Sequence, residues 1–137
     1  MGHTIEFVFP AGEPRLFSDV TALVNNTSKT VDLIVPDTAM YLVYGGSLQN
    51  NDDVARTLSV SIMDSTGNII IQLIVSTAIA AGDYITFPCT VSGLDNYGGS
   101  TPLPLPAGSK IRYSWNAGGA STGGSTRYSL LYQRIDT

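Results

Sequence analysis

The clearest pattern along this chain is an alternation of apolar and polar residues with a period of two. Leu58, Val60 and Ile62 are separated by single serine residues. Successive side chains of a β-strand point to opposite faces, so this spacing predicts a strand with one face in a core. The same alternation recurs twice near the C-terminal end. There it predicts core positions for Ile111, Tyr113, Trp115, Tyr128, Leu130 and Tyr132.

Two other segments are apolar at nearly every position, namely Val31–Val35 and Ile69–Val75. A strand that is apolar on both faces must be covered on both faces. We therefore expect an oligomer in which a partner subunit covers the second face, with Leu33, Ile70 and Ile74 as candidate interface residues. The alternative is that an N-terminal arm of the same chain lies over the sheet.

The rest of the chain contains further short strands separated by turn residues. Asp64–Gly67 predicts a tight hairpin in which Gly67 takes a positive φ. Pro102–Gly108 is expected to be extended, because a residue that precedes proline favours β or polyproline geometry. No segment shows a sustained helical period. The remaining strands are predicted at Ile5–Phe9, Leu16–Val24, Tyr41–Leu48 and Tyr84–Val91.

Eight or nine short strands without helices predict an all-β protein, a jelly-roll-like antiparallel β-sandwich of about eight strands. The length of 137 residues suits one domain. Residues 1–38 are less regular and are expected to form an N-terminal arm or the first strands. Residues 39–137 are expected to form the β-sandwich.

Charge limits the partners. Only 13% of the residues are charged, and the net charge is −4. No basic stripe is present, which argues against nucleic acid or an anionic membrane as a partner. We find neither a secretory signal nor about 20 consecutive apolar residues, so we expect synthesis in a cytoplasm and no membrane span.

Three features could carry chemistry, and each is better explained by structure. Gly119–Gly123 matches the G-x-S-x-G motif of hydrolases, but that motif needs a following helix and a histidine, and the only histidine is His3. Cys89 is the only cysteine, so it forms neither a disulfide framework nor a zinc site. Asn50–Asp53 predicts a solvated turn, with a structural cation as the alternative. We therefore predict no catalytic residue and no cofactor.

The aromatic residues suggest a different class of function, a carbohydrate-binding β-sandwich module. Tyr97 lies in a glycine-rich segment and could stack on a sugar ring if it is exposed. Tyr41 and Tyr44 could do the same if they face outwards. In this alternative the protein would work as a monomer with an exposed aromatic platform.

Two stretches, Tyr44–Asp52 and Pro104–Trp115, resemble the jelly-roll decoration (cement) proteins of tailed bacteriophage capsids and related virion domains. The shared features are low charge, strands rich in threonine and serine, and a proline-glycine turn before an aromatic strand. The resemblance implies a homotrimer on the surface of a virion, bound between major capsid proteins and made in the host cytoplasm. A phage fibre or baseplate accessory domain is the closest alternative. The resemblance implies no catalytic residues.

Overall fold

The computed structural model describes residues 15–23, 28–88, 102–116 and 124–137. All the regular secondary structure in these ranges is β-strand. The strands in chain order are β1 (Arg15–Leu23), β2 (Lys29–Ile34), β3 (Ala39–Asn50), β4 (Arg56–Met63), β5 (Ile69–Ile79), β6 (Tyr84–Pro88), β7 (Leu103–Leu105), β8 (Lys110–Trp115) and β9 (Gly124–Asp136).

The strands form two antiparallel sheets that pack into a sandwich. One sheet has the order β1-β9-β3-β6, with β7 pairing β3 beyond the end of β6, and the other has the order β2-β8-β4-β5. The pairs β1–β9, β2–β8, β3–β6 and β4–β5 nest inside one another along the chain. The chain is therefore a long folded ribbon whose strand pairs alternate between the sheets, which is the jelly-roll arrangement.

The predicted strands are confirmed wherever the structure describes them. The alternating segments form β4, β8 and β9, and the two segments that are apolar on both faces form β2 and β5. Within Pro102–Gly108 the short strand β7 is extended, as expected. The predicted strand Ile5–Phe9 lies outside the described residues.

The core lies between the sheets and includes most of the residues that the alternation predicted. Leu58, Val60 and Ile62 from β4 are almost completely buried. Tyr113 from β8 crosses to the other sheet, and its ring centroid lies 5.1 Å from that of Tyr128 on β9. Aromatic pairs at this separation stabilise a core beyond the burial of their area, so this contact joins the two layers.

The predicted hairpin joins β4 to β5. Gly67 has a φ of +93°, a value that a residue with a Cβ rarely adopts. The carboxylate of Asp64 accepts hydrogen bonds from the backbone N–H groups of Thr66 and Asn68, both at 2.9 Å. The turn is thus fixed by one acidic side chain and one glycine.

The beginning of the described chain belongs to the sandwich. β1 pairs with β9 along its whole length, and β2 pairs with β8. These two strands are the outermost members of their sheets on one side of the molecule. Within the range 1–38 the structure describes β1 and β2, and residues 1–14 and 24–27 lie outside the described residues.

Candidate assembly surface

The two strands with apolar residues on both faces are the two edge strands of one sheet. β2 and β5 lie at opposite ends of the order β2-β8-β4-β5. An edge strand presents unpaired backbone N–H and C=O groups, and proteins commonly protect such an edge with charge, proline or bulges. The two edges are protected differently. Asp32 on β2 accepts two hydrogen bonds from the guanidinium of Arg112 on β8. This hydrogen bonding with Arg112 holds the pKa of Asp32 below its usual value.

β5 carries no charged residue between Ile69 and Ile79. Its eleven residues lie opposite the eight residues of β4, and the pairing shifts register three times. Ser76 lies at one of these bulges with a φ of +39°, and its N–H donates to Ser59 Oγ at 3.1 Å. Bulges bend and twist a strand, but here they leave large apolar side chains exposed. These are Ile69, Ile70, Ile71 and Val75.

The structure separates the three residues that the sequence assigned to an interface. Ile70 is 58% exposed, so its side chain is available to a partner. Ile74 is only 9% exposed and belongs to the core, so the expectation that it contacts a partner is corrected. Leu33 is half-buried and packs against the same core. Tyr97 lies outside the described residues.

The correction at Ile74 has a simple cause. With strict alternation, Ile70 and Ile74 would lie on the same face, because they are four residues apart. The register shift between Val60 and Ser61 inserts an extra residue into β5 between Gln72 and Ile74. This insertion inverts the alternation and turns Ile74 into the sandwich.

A second exposed apolar group, which the sequence analysis missed, lies on the outer face of β1 and β9. Leu16 is 72% exposed and lies directly opposite Leu131 on the neighbouring strand. Val20 lies on the same face of β1 and is also exposed. The spacing of Leu16 and Val20 by four residues places both on one face of a strand, opposite the inward Phe17, and this spacing is the sequence signal for the exposed face. Ser18 and Ser129, which share a hydrogen bond at 3.2 Å, lie between these apolar groups.

A small cleft opens between the sheets on the β1 and β2 side of the sandwich. Its volume is about 120 Å³, well below the range of about 300–1,000 Å³ that is typical of ligand pockets. It has room for one side chain rather than for a cofactor. Its lining residues are Phe17, Leu33, Ile34, Tyr41, Leu130 and Tyr132.

The tyrosines considered for sugar binding are engaged inside the protein. Tyr41 stacks on Tyr132 with ring centroids 4.5 Å apart, and burial raises the pKa of Tyr41. The hydroxyl of Tyr44 donates a hydrogen bond to Gln133 Oε1. Both side chains are only partly exposed, and one face of the Tyr41 ring is covered by Tyr132.

The oxygen-rich segment at the end of β3 is engaged by the chain itself. Asp52 and Arg56 form a fully buried ion pair, with Nε to Oδ2 at 2.8 Å and Nη2 to Oδ2 at 2.7 Å. The side-chain oxygen of Asn50 accepts the N–H of Asp52 at 3.0 Å. A Cβ on Gly124 would lie 2.5 Å from the Cα of Asp52, so the close packing here requires glycine. Within the described ranges, no cluster of three or more His, Cys, Asp or Glu side chains could hold a metal.

Comparison with known proteins places the fold. No family model matches the chain, and no curated protein matches it significantly in sequence. A chain in the cyanophage Pam1 capsid asymmetric unit superposes with a TM-score of 0.51 at 15% identity, covering 97% of this chain and 93% of that one. PirA gives a TM-score of 0.48 at 8% identity, covering 82% of this chain and 92% of that one.

The infectious bursal disease virus Gx strain structure gives a TM-score of 0.43 at 13% identity, covering 90% of this chain and 32% of that one. At these identities the likeness to the cyanophage chain shows a shared β-sandwich fold, and the two looser superpositions add nothing to it. In the described part of the chain there is no helix with the length and apolarity to cross a membrane.

Proposed function

We propose that this protein is a virion structural protein that decorates and stabilises the capsid of a tailed phage. In this proposal it binds between major capsid proteins as a homo-oligomer, a trimer. The observation that carries the proposal is β5, an edge strand among the described strands, with eleven residues, no charge and four exposed large apolar side chains. Such an edge is a ready template for another chain, and here it lacks the charges that would repel one.

Two further observations support a structural role. The fold has the jelly-roll topology, and one near full-length structural neighbour is a chain of a phage capsid. The charges of Asp52 and Arg56 are paired with each other inside the fold. A protein with exposed apolar strips and a small cleft is suited to contact with other protein surfaces.

The mechanism would be thermodynamic. A protein that binds only the assembled shell stabilises it by RT ln(1 + [L]/Kd) for each site, about 2.7 kcal/mol at a concentration 100 times Kd. A capsid repeats its sites many times, so modest contacts at each site add up over the particle. Oligomerisation strengthens each attachment further, because the second and third subunits bind at a high effective concentration.

The test uses virions purified on a density gradient from a lysate of the cells that produce this protein. We expect mass spectrometry to find the chain in the particles in an amount comparable to that of the major capsid protein. Antibodies against the purified protein should label the shell in electron micrographs. Labelling confined to the tail would favour a fibre or baseplate domain and contradict decoration. Absence from the particles would contradict every virion assignment.

The rival from another class, a carbohydrate-binding module, is tested on the same purified protein. The proposal predicts that neither the wild-type protein nor the Tyr97→Ala variant binds a glycan array at micromolar concentration. Specific binding that Tyr97→Ala abolishes would favour the rival.

A further inference from the structure

We infer that the proposed oligomer is held by a head-to-tail contact between two different surfaces of the chain. β5 of one copy packs on the outer face of the β1–β9 pair of the next copy. This inference rests on the proposed function in so far as that function requires self-association. It goes further by naming both contact surfaces and by excluding a contact between two copies of the same edge.

The two surfaces match in character. The strip on β5 contains Ile70 and Val75, which are 58% and 60% exposed. The face on β1 and β9 contains Leu16, Val20 and Leu131. These are the two largest groups of exposed apolar side chains in the described part of the chain. Packing one on the other would remove both from water, and the small Ser18 and Ser129 side chains would let the strand approach closely.

Charge favours this pairing over a contact between two β5 strands. Asp64 and Asp83 lie in the turns at the two ends of β5. Two β5 strands related by a twofold axis run antiparallel, so the Asp64 end of each would meet the Asp83 end of the other, and like charges would repel. The outer face of β1 and β9 instead carries Arg127, whose guanidinium donates a hydrogen bond to the neutral Ser18 Oγ at 3.1 Å. A cation on the face is suited to an acidic strand end.

The two surfaces also point in different directions. The edge of a sheet points sideways from the sandwich, whereas the outer face of the opposite sheet points along the normal to the layers. Each copy would therefore turn by a large angle relative to the previous one. A heterologous contact forms a ring if this rotation closes and a filament if it does not, and the proposed trimer requires a rotation that closes after three copies. A contact between the two edges β5 and β2 would instead extend in line.

The test uses three single substitutions of exposed residues in the full chain. Leu16→Asp disables the face, Ile70→Asp disables the strip, and Ile34→Asp is the matched control. Ile34 is as exposed as Ile70 and also lies on an edge strand of the same sheet, but it belongs to neither surface. Circular dichroism checks the fold of each variant. If either Asp variant loses its β-sheet signal, Leu16→Ser and Ile70→Ser take its place.

Light scattering then gives the mass of each variant and of an equimolar mixture. We expect Leu16→Asp and Ile70→Asp each to fall to the mass of a single chain, and Ile34→Asp to keep the wild-type mass. Mixing the two disabled variants should restore a 1:1 dimer, because the intact strip of one fits the intact face of the other. An isologous contact between two β5 edges predicts no such rescue.

Three results would overturn the inference. They are an unchanged mass for Leu16→Asp or Ile70→Asp, a mixture that remains at single-chain mass, and dissociation of Ile34→Asp. A wild-type protein that is already monomeric would remove the oligomer itself and count against the proposed function. A wild-type oligomer that resists these substitutions would remove only the contact inferred here, so the two failures are distinguishable.

Discussion

Asp52 and Arg56 place two opposite charges out of contact with water at one end of the sandwich. Arg56 also donates to the carbonyl of Asn116 at 2.9 Å, so the pair ties the β3–β4 connection to the end of β8. Removing one member of a buried pair leaves the other charge uncompensated, which typically costs about 3–5 kcal/mol. The pair is therefore expected to be among the most sensitive positions in the chain.

Replacing Asp52 with Asn should lower the free energy of unfolding by about 3–5 kcal/mol. Urea denaturation followed by circular dichroism measures the change. Asp37→Asn is the matched control, because Asp37 is exposed, and it should cost little. A loss below about 1 kcal/mol for Asp52→Asn would mean that the buried pair contributes little to stability.

Asp64 predicts a defined dependence of stability on pH. Its hydrogen bonds from the Thr66 hydroxyl and then from the Asn68 N–H lower its pKa to about 2, from an ordinary 3.8. A carboxyl group with a depressed pKa in the folded state adds stability that is present above pH 3.8 and is lost as the pH falls through about 2. Asp64→Asn should therefore lower the melting temperature at pH 5, and the difference from wild type should shrink towards pH 2.

A series of thermal melts between pH 5 and pH 2 checks this expectation. A melting difference between wild type and Asp64→Asn that stays constant over the whole range would contradict it. Titration of the Asp64 carboxyl by NMR gives an independent reading of the same pKa.

The contacts of individual buried polar residues are the part of the structure that the sequence predicts least well. The local sequence of Asn50–Asp53 predicts a solvated turn, yet Asn50 and Asp52 are buried. Nothing in the local sequence shows that Arg56 folds back onto Asp52, or that Gly124 lies close against it. Gly124 comes from a distant part of the chain, and a period of two carries no information about either partner.

At the scale of elements, β5 combines a core strand and a candidate interface in one segment. Ile74 belongs to the core, whereas Ile70 is exposed. Truncation of a buried isoleucine typically costs about 2–5 kcal/mol. A substitution of an exposed residue that has no special structural role usually changes the free energy of unfolding by about 0.5 kcal/mol or less.

The substitution Ile74→Ala should therefore cost about 2–5 kcal/mol of unfolding free energy, while Ile70→Ala, measured on dissociated protein, should cost about 0.5 kcal/mol or less. Urea titrations at a concentration low enough to give single chains measure both. Equal losses at the two positions would contradict the inverted alternation of β5.

Most elements were predictable because alternation has a direct physical cause. Side chains alternate across a strand, so the pattern of Leu58, Val60 and Ile62 predicts both β4 and its buried face. The same rule placed Ile74 wrongly, since bulges insert residues without leaving a mark in the apolar pattern of Ile69–Val75. The outer face of β1 was missed because its apolar residues are spaced among polar neighbours.

For the whole molecule, the sequence predicted a jelly-roll-like sandwich and the structure confirms it. The sequence could not predict that β2 and β5 are the two edges of one sheet, because strand order depends on long-range pairing. That arrangement gives the segments that are apolar on both faces a physical explanation, since an edge strand is the part of a sheet that a partner can reach. The proposed assembly follows from this placement.

The solution mass of the purified protein, measured by light scattering at micromolar concentration, tests self-association through these surfaces most directly. The account predicts one stable species at three times the chain mass of 14.5 kDa. A single species at 14.5 kDa, unchanged over a hundredfold increase in concentration, would contradict it.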